Sequence, residues 1–103
     1  EHVDAPEVAK ELLLSDDHIT RSFAAKSLAD YNELHKKFAA DSHHSIRIVA
    51  ANNSGDVKLI SSLINDSHSS VRRSAIATAS RKGLNLDQET LEKVVKNMDY
   101  PII

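Results

Sequence analysis

The sequence predicts an all-α fold, a right-handed α-solenoid of about three to four short helical-hairpin repeats, and three observations carry that expectation. Asp16, Asp41 and Asp66 recur every 25 residues, as do His18, His43 and His68. The stretches DSHHSIRIVA (41–50) and DSHSSVRRSA (66–75) are nearly the same word. Around these marks the apolar residues fall at i, i+3, i+4 and i+7, the spacing of one helical face. A fixed period of roughly 20 to 50 residues is the mark of stacked repeat architectures.

The units are expected at about 5–30, 31–55, 56–83 and 84–103, the last incomplete, within one domain covering 1–103. Asp4, Pro6 and Glu7 read as a helix start, because proline fits the first turn and acids favour the positive end of the helix dipole. Ala9, Leu34 and Leu59 precede the three aspartates by seven residues, and Leu13, Phe38 and Leu63 precede them by three. Four residues is one helical turn, so each unit begins with a short amphipathic helix. Its apolar stripe ends at Leu14, Ala39 and Ile64, just before a polar loop.

A second helix follows each loop. Ile46, Val49, Ala50 and Asn53 match Val71, Ser74, Ala75 and Thr78 at helical spacing. The Asp, Ser and His residues of the loops suit N-caps, since their side chains accept from the first free amides. The first unit departs from the pattern: Arg21 follows Asp16 by five residues, where Arg47 and Arg72 follow their aspartates by six. Its buried face is expected at Ile19, Phe23, Ala24 and Leu28. Gly83 is placed to end the third unit in the left-handed conformation, after Arg81 and Lys82 in the last turn. Asp87 is expected to cap a final helix carrying Leu91, Val94, Val95 and Met98. Pro101 stands where another helix would begin and the sequence ends at Ile103, so a longer parent protein or a docked tail is expected.

Composition narrows the function classes. With 41% apolar and 27% charged residues the chain is globular. Phe23, Tyr31, Phe38 and Tyr100 are its aromatics, so the core must be built from Leu, Ile, Val and Ala. The absence of cysteine excludes disulfides, thiolate nucleophiles and Cys-type metal sites. It leaves the compartment open, with the cytoplasm the expected location. No apolar run approaches the roughly 18 residues of a membrane span, and no membrane partner is expected. Charge is unevenly spread. Residues 1–33 hold eight acids against three bases, and residues 34–82 hold eight bases against three acids. The middle of the stack is therefore basic.

The set Asp41, Ile46, Arg47 and Ala50, repeated as Asp66, Val71, Arg72 and Ala75, resembles the HEAT repeat family. The stretch DSHHSIRIVAANNSGDVKLISSLINDSHSSVRRSAIATA looks most like the leucine-rich-variant branch of helical repeats. The resemblance spans roughly residues 7–80. Its unit is shorter than the 40 or so residues usual for HEAT repeats, so the helices must be short. The resemblance implies that Asp41, Arg47, Asp66 and Arg72 are ladder residues bonding between neighbouring loops and helix starts. An iron–sulfur member of the variant family carries a Cys-rich segment; this chain has none, and no cofactor is expected.

The chemistry-bearing residues point to binding rather than catalysis. His18, His43 and His68, with His44 beside them, are expected to form a column along one edge. Neighbouring helices lie about 8 to 10 Å apart, so three such rings cannot converge on one ion, and loop and capping roles are expected instead of a metal site. No Gly-rich phosphate loop, HExxH or Gly-x-Ser-x-Gly occurs, and Asp16 with Asp17 is the only adjacent acid pair, so no catalytic residue is assigned. The expected function is a non-enzymatic protein-binding or scaffold module. Lys26, Asn52, Arg73, Thr78 and Ser80 are placed near its groove, and Arg81 and Lys82 complete the basic face, which suits a partner with an acidic segment. The alternative is a nucleic-acid module contacting phosphates through Arg47, Arg72, Arg73, Arg81 and Lys82. The acidic first third and the scarcity of aromatics for stacking bases count against it. A third expectation is docking on a neighbour through the C-terminal end, Leu91, Val94, Met98 and residues 99–103.

Overall fold

Seven α-helices and one 3₁₀ turn, with no strand among the described residues, make up the chain in a computed structural model that describes residues 5–97. Helix α1 (Ala5–Leu12) pairs with α2 (His18–Ser27). The 3₁₀ turn Asn32–Leu34 leads into α3 (His35–Ala39), which pairs with α4 (His44–Asn53). Helix α5 (Val57–Leu63) pairs with α6 (Ser69–Lys82), and α7 (Gln88–Asn97) follows. The longer members also touch each other in chain order, α2 on α4 and α4 on α6, while α3 touches α5. The Cα atoms extend 61 × 24 × 17 Å with a radius of gyration of 14.9 Å, against about 13 Å for a globular domain of similar length.

Small residues set how close these helices come. Ala24, Ala50 and Ala75 occupy the same place in α2, α4 and α6, and each is fully buried. Ala25 and Ala51 beside them are buried as completely. With only a methyl group at these positions, little side chain stands between one helix and the next. Larger side chains then fill the space between the packed helices: Leu28, Phe38, Ile46, Ile60, Ile64 and Val71 are all at 1% exposure or less.

The first unit differs from the reading based on its aspartate. Ile19 and Phe23, expected to be buried, are 68% and 65% exposed. The face of α2 that turns inward is Ser22, Ala24 and Ala25, with Leu28 at the C-cap. Leu14, expected to end the buried stripe of the first helix, is also exposed. The cause is register. Arg21 donates from Nη1 to the carbonyls of Ser15 and Asp16, Arg47 to those of Asp41 and Ser42, and Arg72 to those of Asp66 and Ser67. The residue equivalent to Asp41 and Asp66 is therefore Ser15, and Asp16 is an exposed neighbour. Aligned on arginine, the units are spaced by 26 and then 25 residues.

Helix α6 ends at Gly83, which adopts φ 62° and ψ 38°, and Leu84 N–H closes back on the Ala79 carbonyl. Glycine takes this left-handed conformation without the Cβ clash other residues meet. Asp87 then accepts from Thr90 N–H at 2.8 Å and starts α7. Leu84, Leu86 and Val94 pack on the edge of the core. Leu91 and Val95, expected in the same buried stripe, are 47% and 66% exposed. Asp4, Met98, Pro101, Ile102 and Ile103 lie outside the described residues.

Candidate functional site

The loops between paired helices build one connected polar edge. Arg21 places Nε 3.0 Å from Asp41 Oδ2 and Nη2 3.1 Å from Oδ1. Arg47 repeats this on Asp66, at 2.8 and 3.1 Å. Both are planar, two-pronged contacts, the geometry that makes an arginine–carboxylate pair directional. The same Asp41 and Asp66 oxygens accept from the N–H groups of His43 and His68. Each aspartate thus fixes its own loop while receiving the arginine of the unit before it. Burial pushes the Asp41 carboxyl up, but the Arg21 guanidinium and the His43 amide outweigh it and hold the group below its ordinary value. Asp66 is held down in the same way by Arg47 and His68 N–H.

The row has two different ends. Ser15 keeps the loop bond, its Oγ accepting from Asp17 N–H, and carries no charge where no arginine arrives. Arg72 holds its loop carbonyls, but no carboxylate among the described residues meets its Nε edge.

The histidines form a continuous stack. His18 lies on His43 at 3.8 Å between ring centroids and 12° between planes, and His44 lies on His68 at 3.8 Å and 5°. His43 and His44 join the two pairs at 4.4 Å. Counted from the arginines, His18 and His44 are equivalent residues, and so are His43 and His68. The same inter-unit contact is therefore made twice. It also explains how the loops start helices: His43 Nδ1 accepts from Ser45 N–H at 3.1 Å and His68 Nδ1 from Ser70 N–H at 3.2 Å. Asp17 does the same for Ile19. An imidazole accepts at Nδ1 only when that nitrogen carries no proton. Burial lowers the proton affinity of His43 and His44, and the neighbouring imidazoles lower it further. Rings stacked face to face hold their nitrogens in parallel planes, and among the described residues no group of three or more His or acidic side chains is gathered for a metal ion.

The residues assigned to the groove from sequence are not alike. Lys26, Asn52, Arg73 and Ser80 are exposed. Thr78 is fully buried, which corrects its placement on the binding face: it lies on the inward side of α6 beside Ala75 and Ala79. Arg81 Nη2 reaches the Asn52 carbonyl at 2.8 Å and Lys82 Nζ the Asn53 carbonyl at 2.6 Å. Both cations therefore cap the C-terminal end of α4, where the dipole is negative. The residues missed are Arg21, the first arginine of the row, and the exposed pair Ile19 and Phe23. A sequence signal existed for them, since aligning SDDHITR (15–21) with DSHHSIR (41–47) on the arginine recovers the whole register.

No protein-family model matches the chain, and no curated protein or solved structure is significantly similar to it. Among the described residues no helix is long and apolar enough to cross a membrane.

Proposed function

We propose that the chain is a short right-handed α-solenoid of HEAT-like units, working in the cytoplasm as a non-enzymatic protein-binding or scaffold module. The observation that carries this reading is the inter-unit contact made twice over, an Arg–Asp rung with a histidine pair beside it. A rung that recurs at each step sets a fixed rise between units and makes an extended surface from α2, α4 and α6, the kind of surface stacked repeats use for partners. Lys26, Asn52, Arg73 and Ser80 are its exposed polar residues, and its cations favour a partner with an acidic segment.

The nucleic-acid reading has fewer free cations than its sequence count. Arg47 is neutralised by Asp66, Arg72 is turned onto loop carbonyls, and Arg81 and Lys82 are engaged at the end of α4. Arg73 remains. The test is a pull-down from the native source with the unaltered chain and with Arg73→Glu. A protein retained by the first and lost by the second, at unchanged helicity, is the expected result; identical captured sets would overturn the groove reading.

A further inference from the structure

The loops and the core account for most of the apolar side chains, but not for Ile19 and Phe23. They lie one turn apart on α2, 68% and 65% exposed, and line a cavity of about 410 Å³ between α2 and the start of α4. His18 and His43 form one wall, Ser45 closes the α4 side, and Lys26 stands on the rim. The repeat itself shows that this is not a demand of the fold. The residues equivalent to Ile19 are Ser45 and Ser70, and those equivalent to Phe23 are Val49, which is buried, and Ser74. A position that other units fill with serine is filled here with isoleucine, and that isoleucine is exposed to water.

We propose that this cavity is the anchor point of the groove, and that its occupant is a peptide segment carrying one large apolar side chain close to an Asp or Glu. The inference rests on the groove reading above and names the chemistry of its partner. Size supports a side-chain anchor, because the cavity lies near the lower end of the range for small ligand sites, about 300 to 1,000 Å³. Apolar anchors at i and i+4, ringed by polar groups, are how a helical surface grips a peptide. Charge supports the acid. No carboxylate lines the cavity, and Lys26 has no acidic partner among the described residues. Charge also argues against a second copy. In a two-fold contact the same patch meets itself, and it carries no carboxylate to receive Lys26 of the other copy.

The test is a phage-displayed random-peptide library panned on the chain, followed by anisotropy titration of the enriched peptides. The expected motif is a large apolar residue within a few positions of an acid. Ile19→Ser with Phe23→Ser should weaken binding about tenfold or more. Lys26→Glu should weaken it for acidic peptides, and Lys58→Glu, at an exposed residue of α5 outside the groove, should change it little. Both serine substitutions use residues that occur at equivalent positions, so circular dichroism should show unchanged helicity. Enriched peptides indifferent to the serine pair overturn the proposal; if Arg73→Glu abolishes them instead, the groove reading stands and the anchor falls. A library that yields no binder overturns the anchor, with the pull-down left to judge the groove separately. Concentration-dependent mass in sedimentation that Phe23→Ser abolishes would identify a second copy as the occupant, and would overturn it as well.

Discussion

Helices α4 and α7 are each ten residues long, yet they are held in different ways. Helix α4 has neighbours on three sides, α2, α3 and α6, and buries Ile46, Val49, Ala50 and Ala51. Helix α7 lies at the edge of the core, with Val94 half-buried and Leu91 and Val95 open to water. Its sequence is nonetheless the more clearly amphipathic of the two. The lesson is that amphipathicity records burial from one side. A helix surrounded by others carries apolar residues around most of its circumference, and its periodic signal fades as its burial grows.

The largest expected effect lies in α4. Ile46→Ala removes a fully buried side chain between α4 and its neighbours, where the alanine-lined contacts leave little room to collapse into the gap. Such truncations cost about 2 to 5 kcal/mol, and urea unfolding should show a loss in that range. A loss as small as that of an exposed substitution would break the comparison.

The rungs come next. Asp66→Ala leaves Arg47 without its two-pronged partner and His68 N–H without its acceptor. The pair is only partly screened from water, at 14% and 9% side-chain exposure, so the expected loss is about 2 to 3 kcal/mol, below that of a fully buried ion pair. Arg47→Ala removes the rung together with two loop-carbonyl bonds, whereas Arg72→Ala removes two loop-carbonyl bonds and no carboxylate contact, and should cost less. Equal losses from these two arginine substitutions would mean that the rung adds nothing beyond the loop bonds.

Acid should loosen the edge in two steps. The folded His43 and His44 bind protons less readily than at the ordinary value of 6.5. As pH falls below 6.5 the unfolded chain takes up protons that the folded chain refuses, so stability is full above that pH and is lost as pH falls through the lower folded value. The groups that face His43 are His18, His44, Arg21 and Asp41, and those that face His44 are His18, His68, Arg47 and Asp66. The cations reinforce the loss and the carboxylates oppose it. A second step follows below 3.8, where Asp41 and Asp66, together with the helix-capping Asp17 and Asp87, are depressed groups. Melting temperatures between pH 7 and pH 5 should fall for the unaltered chain and fall less for His44→Asn; a flat profile would remove the histidines from the stability of the stack.

How far the sequence carried this reading depends on the residue asked. The helices and their order followed from the spacing of Leu, Ile, Val and Ala, because that spacing is what burial on a helix face requires. Asp41, Arg47, Asp66 and Arg72 were singled out from repetition and lie together in the polar edge. The first unit was misaligned because Asp16 falls at the 25-residue mark by coincidence, while the geometry is set by Arg21 reaching back to Ser15 and Asp16. The histidine column was read from the same marks, but its pairing, equivalent to non-equivalent across each step, follows from where α2 and α4 start. Thr78 and Asn53 share a repeat position, one buried and one half-buried, a difference decided by what lies beyond each helix and absent from local pattern.

The smallest effect expected is in α7, and it sharpens the contrast most. Val95→Ser changes a residue 66% exposed on a helix that no second layer covers among the described residues. The apolar area it withdraws from water is already small, so the transfer contribution of about 25 cal/mol per Å² has little to act on. The lower helix propensity of serine than of good formers is close to that of valine. Unfolding should shift by no more than about 0.5 kcal/mol, as for surface positions generally. If the loss instead matched that of Ile46→Ala, α7 would have to be covered in solution by something that buries Val95. In that event the apolar edge at Leu91 and Val95 would belong to an interface, and the contrast with α4 would be one of partner identity rather than of burial.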